Sequence, residues 1–119
     1  MSYVDGFLLP VPKKNLAAYK RMATVASKVW RDHGALRYVE AVGEDMTPGF
    51  GLPFPKLAKA KAGETMVFAF IVYKSRAHRD AVNKKVMKDK RLAASCDADN
   101  MPFDIKRMAW GGFNVIVKS

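Results

Sequence analysis

The sequence is poor in the residues from which most metal and redox sites are built. Its 119 residues include one cysteine, Cys96, and two histidines, His33 and His78. A single cysteine excludes an internal disulfide, so we expect a cytoplasmic protein. Neither histidine has a second histidine or a carboxylate at the spacing of a metal site. The sequence therefore indicates no metal site and no cofactor, and nothing specific supports a haem held by one histidine.

Long apolar runs and acidic residues are also scarce. No run of about 18 apolar residues is present, which excludes a transmembrane helix, and residues 1–6 do not have the pattern of a secretory signal.

Only 11 acidic residues oppose 21 basic ones, for a net charge of +10. Such a charge can attract nucleic acid or another polyanion. Because the basic residues are spread along the chain and not grouped beside exposed aromatics, a solvated basic surface is favoured.

The hydrophobic pattern predicts one domain with alternating strands and helices. Strands are predicted at 3–11, 35–42, 64–73 and 107–117, and helices at 13–33, from the N-cap Ser75 to about 90, and, as a short helix or turn, at 91–96. Prolines and glycines break residues 43–63, where 56–62 can form either a short strand or a helical turn. The stretch 101–113 reads as a loop feeding the last strand, in which Gly111 and Gly112 allow a bulge or a close backbone approach.

The predicted order is strand, helix, strand, strand, helix, strand. This is the α+β, ferredoxin-like βαββαβ pattern with a four-stranded antiparallel sheet, and the two most apolar strands, the first and third, take its central positions. Two helices cover only one face of such a sheet. The other face is also apolar and needs cover, so we expect a homodimer that packs sheet against sheet about a two-fold axis.

Several short motifs resemble one known family. They are Tyr3-Val-Asp-Gly-Phe7, Gly34-Ala-Leu-Arg37, Glu40, Arg79-Asp80-Ala-Val-Asn83, Met101-Pro-Phe-Asp, Lys106-Arg-Met and Gly111-Gly-Phe113. Together they are similar to the YbaA-like family, a small bacterial family of uncharacterised proteins. The resemblance implies the dimeric α/β-barrel superfamily, in which two ferredoxin-like sheets close into one barrel. Other branches include small monooxygenases, haem-degrading enzymes, chlorite-dismutase-like enzymes and ligand-sensing domains, an analogy of fold that carries little about mechanism.

Asp5 is the first candidate for a functional residue. A carboxylate on an apolar central strand is costly unless it is paired or hydrogen-bonded. Burial would raise its pKa and could make it a general base. The structural alternative is an ion pair with Arg107 or with another basic side chain on a neighbouring strand.

His33 has a structural interpretation, whereas His78 and Arg107 each have a structural and a functional one. His33 ends a predicted helix, where the dipole favours a cation. His78 lies in the first turn of the second helix and either faces a pocket or is solvated. Arg107 either binds an anionic group or forms a salt bridge with Asp104 or Asp5.

The remaining candidates are aromatic side chains and one acid. Trp30, Tyr73, Phe103 and Trp110 either line an apolar cavity between helices and sheet or belong to the core. Glu40 shares a strand face with Tyr38, where it either borders the cavity or serves as an edge-strand charge that discourages aggregation.

Together these features predict a homodimer that binds a small, partly apolar molecule between helices and sheet. The expected border of the site is Asp5, Trp30, His78, Arg107 and Trp110. Whether the protein is an enzyme stays open. If it is, the resemblance favours cofactor-independent oxygenation or isomerisation, with Asp5 or His78 as the base. The alternatives are polyanion binding through the basic surface and a non-catalytic interaction module.

Overall fold

The computed structural model describes residues 2–96 and 100–119. The strands are β1 (Tyr3–Pro12), β2 (Arg37–Val42), β3 (Glu64–Tyr73) and β4 (Ala109–Asn114), and the helices are α1 (Leu16–Asp32), α2 (Phe54–Leu57), α3 (Arg76–Val86) and α4 (Lys90–Ser95). All strand pairs are antiparallel, in the order β2-β3-β1-β4. The ferredoxin-like fold is confirmed, with β1 and β3 at the centre. Among the described residues, no helix is long and apolar enough to cross a membrane.

The core lies between the helices and one face of the sheet, the inner face. β1 and β3 pair along their whole length, from Tyr3 opposite Tyr73 to Pro12 opposite Glu64. Because side chains alternate along a strand, every second residue of each central strand points toward the helices. The most deeply buried apolar side chains belong to these strands and to α1 and α3: Leu9, Val11, Val29, Val67, Tyr73, Val82 and Val86.

The helix ends follow from local sequence. Gly34 has a φ of 115°, a conformation that suits glycine and lets the chain leave α1. The side chain of Ser75 caps α3 by accepting a hydrogen bond from the backbone N–H of His78 at 3.1 Å. These positions agree with the predicted helix stop and helix start.

Some predicted boundaries were wrong. The second long helix ends at Val86, short of residue 90, because the backbone of Asp89 is extended and cannot continue it. The Asp89 side chain accepts a hydrogen bond from the backbone N–H of Arg91 at 2.9 Å and so begins α4, which agrees with the short helix or turn predicted at 91–96. The last strand is shorter than 107–117. It starts after a 3₁₀ turn at Ile105–Arg107, and the strand ends at Asn114 opposite Tyr3, where β1 begins. Beyond it, the backbone N–H of Val115 donates one further hydrogen bond to the carbonyl of Ser2 at 3.0 Å. In the 43–63 segment, the regular element is the short helix α2.

The face of the sheet away from the helices, the outer face, is apolar and partly open. Phe68 is 48% exposed and Phe113 is 61% exposed. The α2 side chain Phe54 lies beside Leu8 and Phe68 and covers a corner of this face. Within the described residues, the rest of the outer face has no helix across it.

Candidate functional site

A cavity of about 310 Å³ lies between the inner face of the sheet and the helices. Its floor comes from β1, β2 and β3, and its walls come from α1, the 83–96 segment and the 103–110 stretch. Most of the lining is apolar or aromatic, including Phe7, Leu9, Met22, Ala26, Trp30, Ile71, Met87, Leu92, Phe103, Met108 and Trp110. The acidic groups of this cavity lie in two polar clusters, one at Asp5 and one at Glu40, and Asn83 is a further polar residue of the lining.

Asp5 lies on the inner face of β1, paired with Ile71 and Gly112 on the neighbouring strands. It is 2% exposed. Its Oδ1 atom is 3.6 Å from Nε of Arg79, and within the described residues both atoms lack a hydrogen-bond partner. Burial raises the pKa of Asp5, and the positive charge of Arg79 and the nearby Tyr73 hydroxyl lower it only in part. The carboxyl group is therefore easier to protonate than an ordinary aspartate.

Tyr3 holds Arg79 in place. Nη2 of Arg79 donates a hydrogen bond to the Tyr3 hydroxyl at 3.0 Å, and the guanidinium carbon lies 5.2 Å from the centre of the Tyr3 ring. The Tyr3 hydroxyl in turn rests against the backbone of Gly112. A Cβ atom on Gly112 would overlap that hydroxyl and would lie 2.7 Å from Cζ of Tyr3. The close backbone approach suggested by the glycine pair therefore occurs at Gly112.

Glu40 accepts hydrogen bonds from two tyrosines. The Tyr19 hydroxyl of α1 donates to Oε1 at 2.7 Å, and the Tyr38 hydroxyl donates to Oε2 at 2.8 Å. All three side chains line the cavity. Burial raises the pKa of both tyrosines well above the ordinary range, and the Glu40 carboxylate raises it further. Both hydroxyls thus keep their protons at any physiological pH.

Trp30 and Asn83 connect α1 to α3 at the edge of the cavity. The indole Nε1 of Trp30 donates to Oδ1 of Asn83 at 3.0 Å, and the Tyr73 hydroxyl reaches the same oxygen at 3.4 Å. Trp110 is 58% exposed and stacks on Phe7 with a ring separation of 6.1 Å. Trp30 and Trp110, both expected at the border, lie on the cavity wall together with Asp5.

The other two residues expected at the border lie elsewhere. Nδ1 of His78 accepts a hydrogen bond from the backbone N–H of Lys74 at 3.0 Å, which ties the ring to the start of α3. Arg107 forms ion pairs with Glu64 at 2.6 Å and Asp104 at 3.0 Å. Among the described residues that line the cavity, neither His78 nor Arg107 is present.

The structure shows the ionic partners of Arg107, Asp5 and His33. The salt bridge between Arg107 and Asp104 is confirmed. The alternative of an ion pair at Asp5 is present in the structure, but the partner is Arg79 of α3 and not Arg107 or another basic side chain on a neighbouring strand. His33, at the end of α1, pairs with Asp89 through a 2.8 Å contact between Nε2 and Oδ2.

Sequence reasoning missed Arg79 and the role of Tyr19. Tyr19 belongs to the apolar stripe of α1, and Glu40 shares a face with Tyr38, but the contact between Tyr19 and Glu40 depends on how α1 crosses β2. Among the described residues, no group of three or more His, Cys, Asp and Glu side chains is placed to hold a metal ion.

Comparison with known proteins settles the family. A family model described as "Protein of unknown function (DUF1428)" matches residues 2–105. This chain belongs to the DUF1428 family. It is 42% identical over 117 residues to "Uncharacterized protein YbaA" of Escherichia coli strain K12 and to that of Shigella flexneri, and each alignment covers 98% of both chains. The resemblance to the YbaA-like family is therefore confirmed.

One solved structure shares the fold of this DUF1428 member. It is the crystal structure of SnoaB, described as a cofactor-independent oxygenase from Streptomyces nogalater, with a TM-score of 0.56 and 13% sequence identity. The alignment covers 98% of this chain and 95% of that one. At this level of identity the similarity shows the fold alone.

Proposed function

We propose that this DUF1428 protein binds a small, largely apolar molecule in the helix–sheet cavity. The observation that carries the proposal is a cavity of about 310 Å³ with an apolar and aromatic wall and two clusters of polar groups. Small-molecule sites in proteins have this size and this distribution, in which apolar surface supplies affinity and a few polar groups fix orientation.

Packing supports the same conclusion. Protein interiors are normally packed as densely as organic crystals, and the atoms that line a void lose attractive contacts on that side. A partly open cavity of about 310 Å³ admits water, so its apolar lining stays in contact with water when no ligand is bound. An apolar occupant would remove that surface from water and make the contacts that the lining lacks.

The direct test measures the binding of indole, a small apolar probe, by isothermal titration calorimetry. We expect saturable binding to the wild type and loss of binding in Ala26→Phe, whose larger side chain would fill the cavity. Ala17→Phe adds the same ring on the exposed side of α1 and should leave binding unchanged. The milder Ala26→Leu should weaken binding, and it serves as the test if the phenylalanine variant does not fold.

The proposal fails if neither indole nor toluene binds to the folded wild type. It also fails if a folded Ala26→Phe or Ala26→Leu variant binds indole as well as the wild type does.

We also infer that the functional unit is a homodimer joined through the outer face of the sheet. That face carries exposed aromatic side chains, including Phe68 and Phe113. Exposed apolar patches on a sheet are typical of interaction surfaces. A second copy of the same face is the simplest cover, and it is the arrangement that gives the superfamily its name.

A second candidate function is proton abstraction from the bound molecule by Asp5, as in a cofactor-independent oxygenase or isomerase. It is favoured by one observation: Asp5, a buried carboxyl group with a raised pKa, is one of the residues that line the cavity. The similarity to SnoaB agrees with this candidate at the level of fold.

This candidate is tested with compounds that bind to the cavity. In D₂O, NMR measures whether the protein catalyses the exchange of their carbon-bound protons for deuterium. Exchange that disappears in Asp5→Asn while binding persists would support it. Exchange at the wild-type rate in that variant would remove Asp5 as the base.

A further inference from the structure

The charge of the cavity is opposite to the charge of the protein. The chain carries a net charge of +10. Among the described residues that line the cavity, however, Asp5 and Glu40 are carboxylates and none is a lysine, arginine or histidine. The charge of Asp5 is offset by the Arg79 guanidinium at 3.6 Å, so the unbalanced charge is that of Glu40, which repels an anionic ligand and attracts a cation.

The hydrogen bonds at Glu40 restrict the class of ligand further. A tyrosine hydroxyl has one proton to donate, and Tyr19 and Tyr38 both donate theirs to Glu40. What these three side chains still offer is lone pairs on their oxygen atoms. This cluster can therefore accept further hydrogen bonds but has none left to donate, so its partner must be a donor.

Glu40 also differs from Asp5 in its ionic surroundings. Asp5 has the guanidinium of Arg79 at 3.6 Å. Within the described part of the chain, no basic nitrogen lies within 4.0 Å of the Glu40 carboxylate, whose close partners are two neutral hydroxyls. A partly buried carboxylate without a counter-charge is costly, and a cationic ligand would supply the missing charge.

Aromatic rings stand on both sides of this cluster. The Tyr19 ring is 5.7 Å from that of Phe103, and the Tyr38 ring is 6.1 Å from that of Trp30. The faces of such rings attract cations, and aromatic groups combined with a carboxylate are a recurrent way to bind ammonium groups. An apolar body would extend from this point along Phe7 and Leu9 on the cavity floor.

We infer that the cavity takes an organic cation, an amine with an apolar body, whose ammonium group donates a hydrogen bond to Glu40. This inference rests on the proposed function and names the ligand class of the same site. It assigns Glu40 as the charge-selecting residue and Tyr19 and Tyr38 as the residues that hold its carboxylate in position.

Three probes of nearly the same shape test the inference: the 2-phenylethylammonium ion, 2-phenylethanol and the 3-phenylpropionate anion. Calorimetric titration of the wild type at neutral pH and low salt compares them directly. We expect the ammonium ion to bind about tenfold more tightly than the alcohol, and the anion to bind most weakly of the three.

The variant Glu40→Gln locates the selectivity. Glutamine keeps a similar shape and an accepting oxygen but removes the negative charge. We expect the affinity for the ammonium ion to fall by about tenfold, to the level of the alcohol, while the affinity for 2-phenylethanol stays nearly constant. Glu44→Gln changes the net charge equally at an exposed position outside this cavity and should leave all three affinities unchanged.

The possible failures are distinguishable. If 2-phenylethanol binds but the ammonium ion has no advantage over it, or the anion binds as well as the ammonium ion, the inference is overturned and the proposed function stands. Retained preference for the ammonium ion in Glu40→Gln overturns the role of Glu40. If neither the alcohol nor the two ions bind although indole does, the inference is overturned and the proposed function stands. If indole and toluene also fail to bind, the inference and the proposed function fail together. The comparison on the wild type decides the ligand class even if the variant does not fold.

Discussion

Oδ1 of Asp5 lies 3.6 Å from Nε of Arg79, and within residues 2–96 and 100–119 neither atom has a hydrogen-bond partner. Asp5 contributes to the cavity wall, whereas Arg79 reaches it from α3 and is anchored by Tyr3. The pair thus joins the central strand of the sheet to helix α3.

Removal of Arg79 should reveal the cost of the Asp5 carboxylate. Arg79→Met leaves a buried acid without its counter-charge, and we expect the free energy of unfolding at neutral pH to fall by about 3 kcal/mol. Urea unfolding measures this change. The matched control is Arg76→Met, which breaks an exposed pair with Asp80 and should cost less than about 0.5 kcal/mol. An equal decrease in the free energy of unfolding in the two variants would show that the buried pair stabilises the protein no more than the exposed pair does.

The Arg107–Glu64 pair should control stability in acid. The guanidinium of Arg107 lowers the pKa of Glu64 from 4.5 to about 2 in the folded protein. A carboxyl group whose pKa is lower in the folded state stabilises it above the unfolded pKa, and this stabilisation is lost as the pH falls through the folded pKa. We therefore expect the wild type to lose about 2 kcal/mol from this pair between pH 4.5 and pH 2.

Glu64→Gln tests this assignment through urea unfolding at a series of pH values. The variant should be less stable than the wild type at pH 7, and the difference should shrink toward pH 2. Glu44→Gln, at an exposed acid, should follow the wild-type curve. A stability difference between Glu64→Gln and the wild type that is independent of pH would show that the ion pair contributes little.

Gly112 should be intolerant of any side chain. The added Cβ of Gly112→Ala would displace the Tyr3 hydroxyl from the position in which it accepts a hydrogen bond from Arg79. Overpacking of this kind costs about 2 kcal/mol. The neighbouring Gly111→Ala is the control, because its Cβ would meet only the Phe113 ring at 4.0 Å. Thermal unfolding of both variants checks the prediction, and equal melting temperatures would contradict it.

The outer face of the sheet should control association. Phe113→Lys places a charge among the exposed aromatic side chains of this face, so we expect a monomer where the wild type is a dimer. Light scattering after size-exclusion chromatography gives the mass directly. Ala17→Lys adds the same charge on the exposed side of α1 and should leave the dimer intact. A monomeric wild type, or a dimeric Phe113→Lys variant, would exclude association through this face.

Some features of the fold could be predicted from the sequence because they depend on local patterns. The bounds of β3, Glu64–Tyr73, agree with the prediction because the strand is apolar on both faces and is flanked by breaks. The last strand was predicted too long because Val115, Ile116 and Val117 favour strands, whereas pairing requires a partner and β1 begins at Tyr3. The β-propensity of that tail could not show where the partner strand stops.

Fewer features of the candidate site could be predicted from the sequence. Asp5 stands out as an acid on an apolar strand, and its burial follows from that strand being central. Its partner Arg79 and the contact between Tyr19 and Glu40 depend on where each helix crosses the sheet. Spacing along the chain does not determine that crossing, so these contacts required the structure.

A crystal structure grown in the presence of indole would show whether the helix–sheet cavity binds an apolar molecule. We predict indole density inside this cavity, in contact with Leu9 and Trp30. The prediction would be contradicted by a cavity without indole in which the side chains of Met22 and Met87 fill the space, or by indole bound only elsewhere on the molecule.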